Sequence, residues 1–136
     1  MSASPAGDDQ PDWTVHTRRR GLVRLANATR FSLSGIANCW RTEEAFRTEM
    51  ILTVIGVPLA FWLGRSAVEY GLLIGSLLIL LMTELLNSAI ETVTDRISTE
   101  QHELSRIAKD IASAAVFFGL ILVGLVWGLL LWERFW

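Results

Sequence analysis

The sequence has few of the residues that stabilise small secreted domains, and its charges are scarce and unevenly placed. It contains one cysteine, Cys39, so no disulfide can form within the chain. Only 19% of its 136 residues are charged. The first 20 residues lack an apolar core, so we expect no secretory signal peptide there. Because charges are scarce, the chain contains long segments with no charge or only one.

Three such segments predict membrane helices. Residues 111–132 form a run of 22 residues without a charge, long enough to cross a hydrocarbon core of about 30 Å. Residues 70–90 contain a single charge, and residues 50–64 contain none. We therefore predict an all-α membrane protein with spans at about 44–63, 67–98 and 106–133. A soluble bundle is the alternative, but the last run has no polar face to present to water.

The basic residues predict the orientation of these spans. Seven of the twelve lie before the first span or in its first turn, and three more lie where the second span ends and the third begins. Because cytoplasmic loops of membrane proteins are rich in lysine and arginine, we expect the N-terminus and the 96–110 loop to be cytoplasmic.

The N-terminal 40 residues divide into a tail and an amphipathic segment. Residues 1–20 are polar, and we predict a disordered tail. In residues 21–40, apolar side chains recur at helical spacing, which predicts a helix lying in the membrane interface. By itself the pattern favours a simple anchor over a helix that covers a site.

The second span carries an unexpected polar stripe. Its residues share one helix face because they lie at positions i, i+3, i+4, i+7 and i+11: Glu84, Asn87, Ser88, Glu91 and Asp95. A charge at membrane depth costs roughly 2.5–3.5 kcal/mol. Polar contacts between helices would explain Asn87 and Ser88, but they explain two glutamates poorly. The stripe therefore indicates a functional site.

The residue types in and around the stripe suggest phosphate chemistry. Glu84 is the deeper glutamate, and a desolvated carboxylate suits proton acceptance. Glu91 lies level with Glu43 of the first span, and two such carboxylates could hold Mg²⁺. The segment that follows supplies further polar side chains: His102, Lys109 and Asp110. Since the chain contains no GxxxxGK[ST], GxGxxG or HRD motif, it does not follow the soluble kinase designs.

Three segments together resemble the bacterial membrane diacylglycerol kinase family. They are WRTEEAFRTE (40–49), TELLNSAIETVTDR (83–96) and EQHELSRIAKDIASAAV (100–116), within a resemblance that runs from about Gly21 to Trp132. The family implies a homotrimer of three-span protomers with an N-terminal surface helix and sites shared between subunits. It also implies a bacterial inner membrane location, Mg-ATP as phosphoryl donor and a lipid hydroxyl as acceptor.

The resemblance also implies a role for individual residues. Glu84 would be the general base, with Asn87 on the same catalytic stripe, and Glu43 and Glu91 would hold the metal. The implied ATP contacts are Arg24, Phe31, Glu43, Glu91, Glu100, Gln101, His102, Lys109 and Asp110. The implied lipid contacts are Arg24, Ala45, Phe46, Arg47, Glu49, Trp62, Glu84 and Ser113. Two positions depart from the usual pattern: Phe31 replaces a common tyrosine and Thr42 a common asparagine.

The sequence thus predicts a Mg²⁺-dependent kinase that makes phosphatidic acid from diacylglycerol and ATP, with membrane lipids but no nucleic acid as partners. Undecaprenol kinase is the nearest alternative, because the shape of the lipid groove decides the acceptor. A small proton-coupled transporter would explain Glu84 but would leave Glu43, Glu91, His102 and Lys109 without a role. A structural scaffold would explain none of them.

Overall fold

The computed structural model describes residues 22–97 and 103–136, which form four α-helices. They are α1 (Leu22–Thr42), α2 (Glu44–Leu63), α3 (Ala67–Ile97) and α4 (Glu103–Phe135). Three of them, α2 to α4, are long and apolar enough to cross a membrane. The prediction of an all-α chain with three such helices is confirmed. The predicted tail, residues 1–20, lies outside the described residues.

The fourth helix begins three residues before the predicted span. Arg106 accounts for this extra turn, because its guanidinium forms ion pairs of 2.6 Å with Glu103 and with Asp110. These partners lie at i−3 and i+4, the spacings at which side chains on a helix meet. Glu103 also places a negative charge in the first turn, where the helix dipole favours it.

The chain divides into two compact units, one ending at Leu33 and the other beginning at Ser34. In the first unit, the described residues 22–33 are helical and, apart from the half-buried Asn27, exposed, including the apolar Leu22, Leu25 and Phe31. None of the residues of α1 is buried. That α1 lies in the membrane interface stays a prediction.

A tight turn joins α2 to α3. The Ser66 hydroxyl accepts the Glu69 N–H at 3.2 Å and donates to the Glu69 carboxylate at 3.1 Å. The same carboxylate accepts the Arg65 N–H at 2.9 Å. These bonds satisfy backbone donors at the start of a helix, and therefore fix where α3 begins. Gly64 leaves room for the Tyr70 ring to pack against this turn, since a Cβ atom would lie 2.6 Å from that ring.

Helix α3 is the centre of the second unit, packing against α2 on one side and α4 on the other. An apolar core lies near the α2–α3 turn, around Ala60, Leu63 and Leu73. Farther along, Gly119 of α4 lies against α3: a Cβ atom there would be 3.1 Å from both Leu80 Cδ1 and Thr83 Oγ1. The absence of a side chain at this point lets α4 approach α3 one turn from Glu84.

We predict that Gly119→Val destabilises the protein by about 1–3 kcal/mol, because an overpacked contact forces neighbouring groups to shift. The free energy of unfolding can be measured by titrating SDS into detergent micelles. Gly71→Val is the matched control, since apart from the neighbouring residues and backbone of its own helix, no heavy atom of the described chain lies within 4 Å of a Cβ atom there. Equal losses in the two variants would show that helix propensity, rather than the α3–α4 contact, causes the effect.

Candidate active site

The polar stripe of α3 is buried at its deeper end, as its position in an apolar span predicts. Glu84 is 3% exposed and Ser88 is 4% exposed. The hydroxyl of Ser88 donates to the Glu84 backbone oxygen at 3.0 Å, and that of Thr92 donates to the Ser88 backbone oxygen at 2.8 Å. Because the helix itself uses these hydroxyl protons, neither is directed at the Glu84 carboxylate. The Ser88 hydroxyl therefore bonds to the helix backbone rather than to the Glu84 carboxylate.

Glu49 brings a second buried carboxyl group from α2. It is 7% exposed, and its Oε2 atom has no hydrogen-bond partner among the described residues. The Glu49 and Glu84 carboxyl groups interact electrostatically across the α2–α3 contact. A buried polar atom without a partner is costly and rare in native proteins. Glu49 is therefore a candidate site residue, with one buried carboxyl oxygen that the described chain leaves without a hydrogen-bond partner.

Thr53, which lies one turn from Glu49, was not among the predicted site residues. Thr53 is buried, and its hydroxyl donates to the Glu49 backbone oxygen at 2.8 Å. Its position four residues after Glu49 is the only sequence feature that could have indicated a role in the site. Threonine at this spacing is common in helices, so the feature is not specific. Thr53 extends the polar side of α2 toward the apolar core.

Glu43 and Glu91 lie at the more exposed edge of the site. Glu43 immediately precedes α2 and has an extended backbone, with no side-chain cap bond to the helix. Glu91 accepts a hydrogen bond of 3.3 Å from the Asn87 side chain, whose own Oδ1 atom is buried without a partner in the described chain. Both carboxyl groups act electrostatically on Glu84. We name Glu43, Glu49, Glu84 and Glu91 the acidic cluster.

The acidic cluster has the ligand chemistry of a hard cation. Magnesium is bound by oxygen atoms, commonly by one or two carboxylates together with water and substrate phosphates. Glu43 and Glu91 fit that requirement, being carboxylates from two elements at a partly exposed edge. Within residues 22–97 and 103–136, no group of three or more histidine, cysteine or acidic side chains is arranged to hold a metal ion.

A lysine from α4 completes the polar region. The Lys109 ammonium forms an ion pair with Asp95 of α3, and the charge of Glu91 also acts on it. Asp110, the next residue, pairs instead with Arg106 on its own helix. The structure thus brings six of the predicted site residues together: Glu43, Glu49, Glu84, Asn87, Glu91 and Lys109.

Other predicted lipid-contact residues occupy different environments. Phe46 is fully buried, so in the described chain its ring packs in the protein interior, whereas Ala45 and Ser113 are exposed. Arg47 donates to the backbone oxygens of Trp40 and Arg41 at the end of α1. Such bonds satisfy carbonyl groups that a helix C-terminus leaves free.

Trp62 lies at the other end of α2, about 20 Å along the helix from Glu49. It is 65% exposed, and its ring centroid lies 6.3 Å from that of Phe135, at the end of α4. A contact between Trp62 and a lipid in the acidic cluster would have to involve a distant part of that lipid. Its predicted role stays a prediction.

The remaining predicted nucleotide contacts belong to the first unit or fall outside the described residues. Arg24 and Phe31 are exposed residues of the first unit. Glu100, Gln101 and His102 lie outside the described residues. Their predicted roles remain as the resemblance implies them.

A surface cleft at the opposite end of the helices is a weaker candidate for the active site than the acidic cluster. It is lined by Leu63, Arg65, Glu69, Leu130, Glu133 and Arg134. Acidic and basic residues alternate there, and the Glu69 carboxylate already caps α3. We therefore place the candidate active site at the acidic cluster.

Known proteins resemble the chain over most of its length. The sequence pattern of the family described as prokaryotic diacylglycerol kinase matches residues 30–131. A Haemophilus influenzae protein called diacylglycerol kinase is 52% identical over 108 residues, covering 79% of this chain and 92% of its own. Proteins of the same name from Pseudomonas aeruginosa and Escherichia coli K12 are 46% and 43% identical, covering 82% and 85% of this chain and 90% and 94% of their own. The chain therefore belongs to the prokaryotic diacylglycerol kinase family.

Proposed function

We propose that the chain transfers the γ-phosphoryl group of ATP to the hydroxyl group of 1,2-diacylglycerol, forming phosphatidic acid. The observation that carries this proposal is the position of Glu84, buried in a membrane-capable helix yet bordered by Glu43 and Glu91. The names of the similar proteins supply the acceptor, and they favour diacylglycerol over undecaprenol. The reaction takes place at the cytoplasmic surface of the bacterial inner membrane, with the N-terminus on that side.

Glu84 is the general base of the proposed reaction. Its carboxylate takes the proton from the lipid hydroxyl while that oxygen bonds to the γ-phosphorus. The bond from the γ-phosphorus to the bridging oxygen of ADP breaks, and ADP leaves with the electron pair. The depth of Glu84 supports this role, because a lipid hydroxyl can reach it without leaving the membrane. Asn87, one turn away, orients Glu91 through its side-chain hydrogen bond.

Glu43 and Glu91 hold Mg²⁺ in this proposal. When bound, magnesium neutralises charge on the ATP phosphates and orients them for transfer. The acidic cluster needs such compensation in any case, since carboxylates that act on one another in a low-dielectric region raise each other's free energy. The protein's own contribution is to fix two carboxylates where the apolar interior meets the exposed edge.

The nucleotide and the lipid approach the cluster from different sides. In this proposal Lys109 contacts phosphate, and the family resemblance implies further nucleotide contacts at Asp110, residues 100–102, Arg24 and Phe31. Glu49 and the residues near the start of α2 contact the lipid, which would supply a partner for the buried Glu49 oxygen. Helix α1 has no buried residue, which supports a position in the membrane interface.

We further propose that three copies assemble. Only 6% of the most apolar stretch of α4 is buried, which leaves much of that helix free to pack against a second copy. A three-span chain also encloses a polar cluster poorly, and a neighbouring subunit would shield it from lipid. The homotrimer itself is what the family resemblance implies.

The direct test is radiolabelled phosphate transfer by the purified protein in mixed micelles, with diacylglycerol and undecaprenol offered separately as acceptors. We expect label from γ-labelled ATP in phosphatidic acid, with a higher kcat/KM for diacylglycerol. Preferential labelling of undecaprenol would replace the proposed acceptor. No labelling of either alcohol would reject a lipid kinase and favour a transporter.

Glu84→Gln is expected to lower kcat by about 10²–10⁴-fold, because the amide cannot accept the proton of the lipid hydroxyl. The change keeps the side-chain shape, so ATP binding and assembly should persist. Glu133→Gln provides the matched control: it makes the same chemical change on α4, in the cleft at the far end. Parental turnover in Glu84→Gln would remove the base assignment.

Glu91→Ala should raise the Mg²⁺ concentration needed for half-maximal activity by at least about tenfold, since it deletes a proposed metal ligand. The measurement is a Mg²⁺ titration at saturating ATP and lipid, with Glu133→Gln as the control again. A titration curve that matches the parent would exclude Glu91 as a ligand, whatever its effect on kcat.

A further inference from the structure

Asp95 belongs to the polar stripe of α3, but the proposed reaction gives it no role. Its carboxylate forms the ion pair with the Lys109 ammonium that links α3 to α4. We propose that Asp95 is a positioning residue, which holds Lys109 beside Glu91 where the ATP phosphates bind. This inference rests on the proposed function and adds a residue to it that acts on the nucleotide through Lys109.

The ion pair between Asp95 and Lys109 contributes little to the stability of the protein, so stability does not explain why it is there. The Asp95 side chain is 68% exposed and that of Lys109 is 38% exposed. Exposed ion pairs contribute little to stability, because water screens them and two long side chains must be ordered. Meanwhile, α3 and α4 already pack closely along their length, including the contact at Gly119. The helix pair therefore has other, stronger sources of stability.

The positioning of the Lys109 side chain does explain the ion pair. Lysine carries a compact charge on a flexible four-carbon stem, and ordering that stem opposes binding. An ammonium group has three donors, so one can bond Asp95 while the others remain for phosphate oxygens. Glu91 also acts on the same ammonium. Asp95 thus restricts Lys109 to the edge of the acidic cluster before ATP arrives.

The opposite effect, in which Asp95 weakens ATP binding, is also physically possible. An experiment can distinguish the two effects. Its negative charge repels phosphate, and its carboxylate competes with phosphate for the lysine. If repulsion or competition dominated, removing the charge would tighten ATP binding. If positioning dominates, removing the charge weakens ATP binding. The two possibilities differ in sign, so one measurement separates them.

The test is Asp95→Asn, which removes the charge and keeps the shape. We expect the KM for Mg-ATP to rise about three- to tenfold, the cost of ordering one freed side chain. The kcat value and the KM for diacylglycerol should stay within about twofold of the parent. Asp95→Glu, which restores the carboxylate, should return the KM for ATP toward the parental value. A KM for ATP that is unchanged or lower in Asp95→Asn overturns the inference.

Glu103→Gln is the matched control. The Glu103 side chain is also 68% exposed and also pairs with a basic residue, but that partner, Arg106, lies on the same helix. The substitution therefore removes an equivalent charge near the start of α4 without affecting the link between α3 and α4. We expect the parental KM for ATP. An equal rise in KM in this variant would show a general charge effect and would overturn the positioning role.

A double-mutant cycle tests whether Asp95 acts through Lys109. The readout is the dissociation constant of a non-hydrolysable ATP analogue, which every folded variant can report. In the Lys109→Met background, Asp95→Asn should change this constant by less than about twofold, because its target is gone. Additive effects would overturn the inference. If instead the parent neither binds the analogue nor phosphorylates lipid, the proposed function itself fails.

Discussion

The site depends on the cost of carboxyl groups buried in an otherwise apolar helix pair. Glu49 and Glu84 are both more than nine-tenths buried, they interact with one another, and one Glu49 oxygen has no partner in the described chain. Nothing in the packing of α2 and α3 requires acidic residues there, and apolar residues would pack with less cost. Such a pair persists in a membrane helix when a ligand, a proton or a cation compensates it.

The apolar residues that stabilise the fold and the polar residues of the candidate site lie at different ends of the helices. Near the α2–α3 turn, Ala60, Leu63 and Leu73 form an apolar core and a capped turn fixes the start of α3. At the other end, α3 carries the polar stripe and both neighbouring helices contribute charges to it. The contact at Gly119 lies between these regions and sets the spacing of α3 and α4 next to Glu84. The apolar end can therefore hold the polar end in place, despite the unfavourable charges that accumulate there.

Much of this arrangement follows from sequence, because it depends on helical period and on the lengths of uncharged runs. These two features predicted the three long helices to within a few residues and placed Glu84 and Ser88 on one face. Contacts between helices could not be predicted in the same way. Which glycine meets a neighbour, the complete burial of Phe46, and the pairing of Lys109 with Asp95 all depend on helix rotation and tilt. Single-helix periodicity contains no information about either.

The distribution of ion pairs between buried and exposed acidic residues agrees with a nucleotide site rather than with a pathway for protons across the membrane. The buried acids, Glu49 and Glu84, form no ion pair with a basic residue in the described chain, while the exposed Asp95 pairs with Lys109. A transporter would require its buried acids to exchange protons with both sides of the membrane, and the apolar core around Leu73 lies between this cluster and the far end. A kinase requires access from one side only. The one-sided placement of the acidic cluster, with a lysine at its exposed edge, matches that requirement.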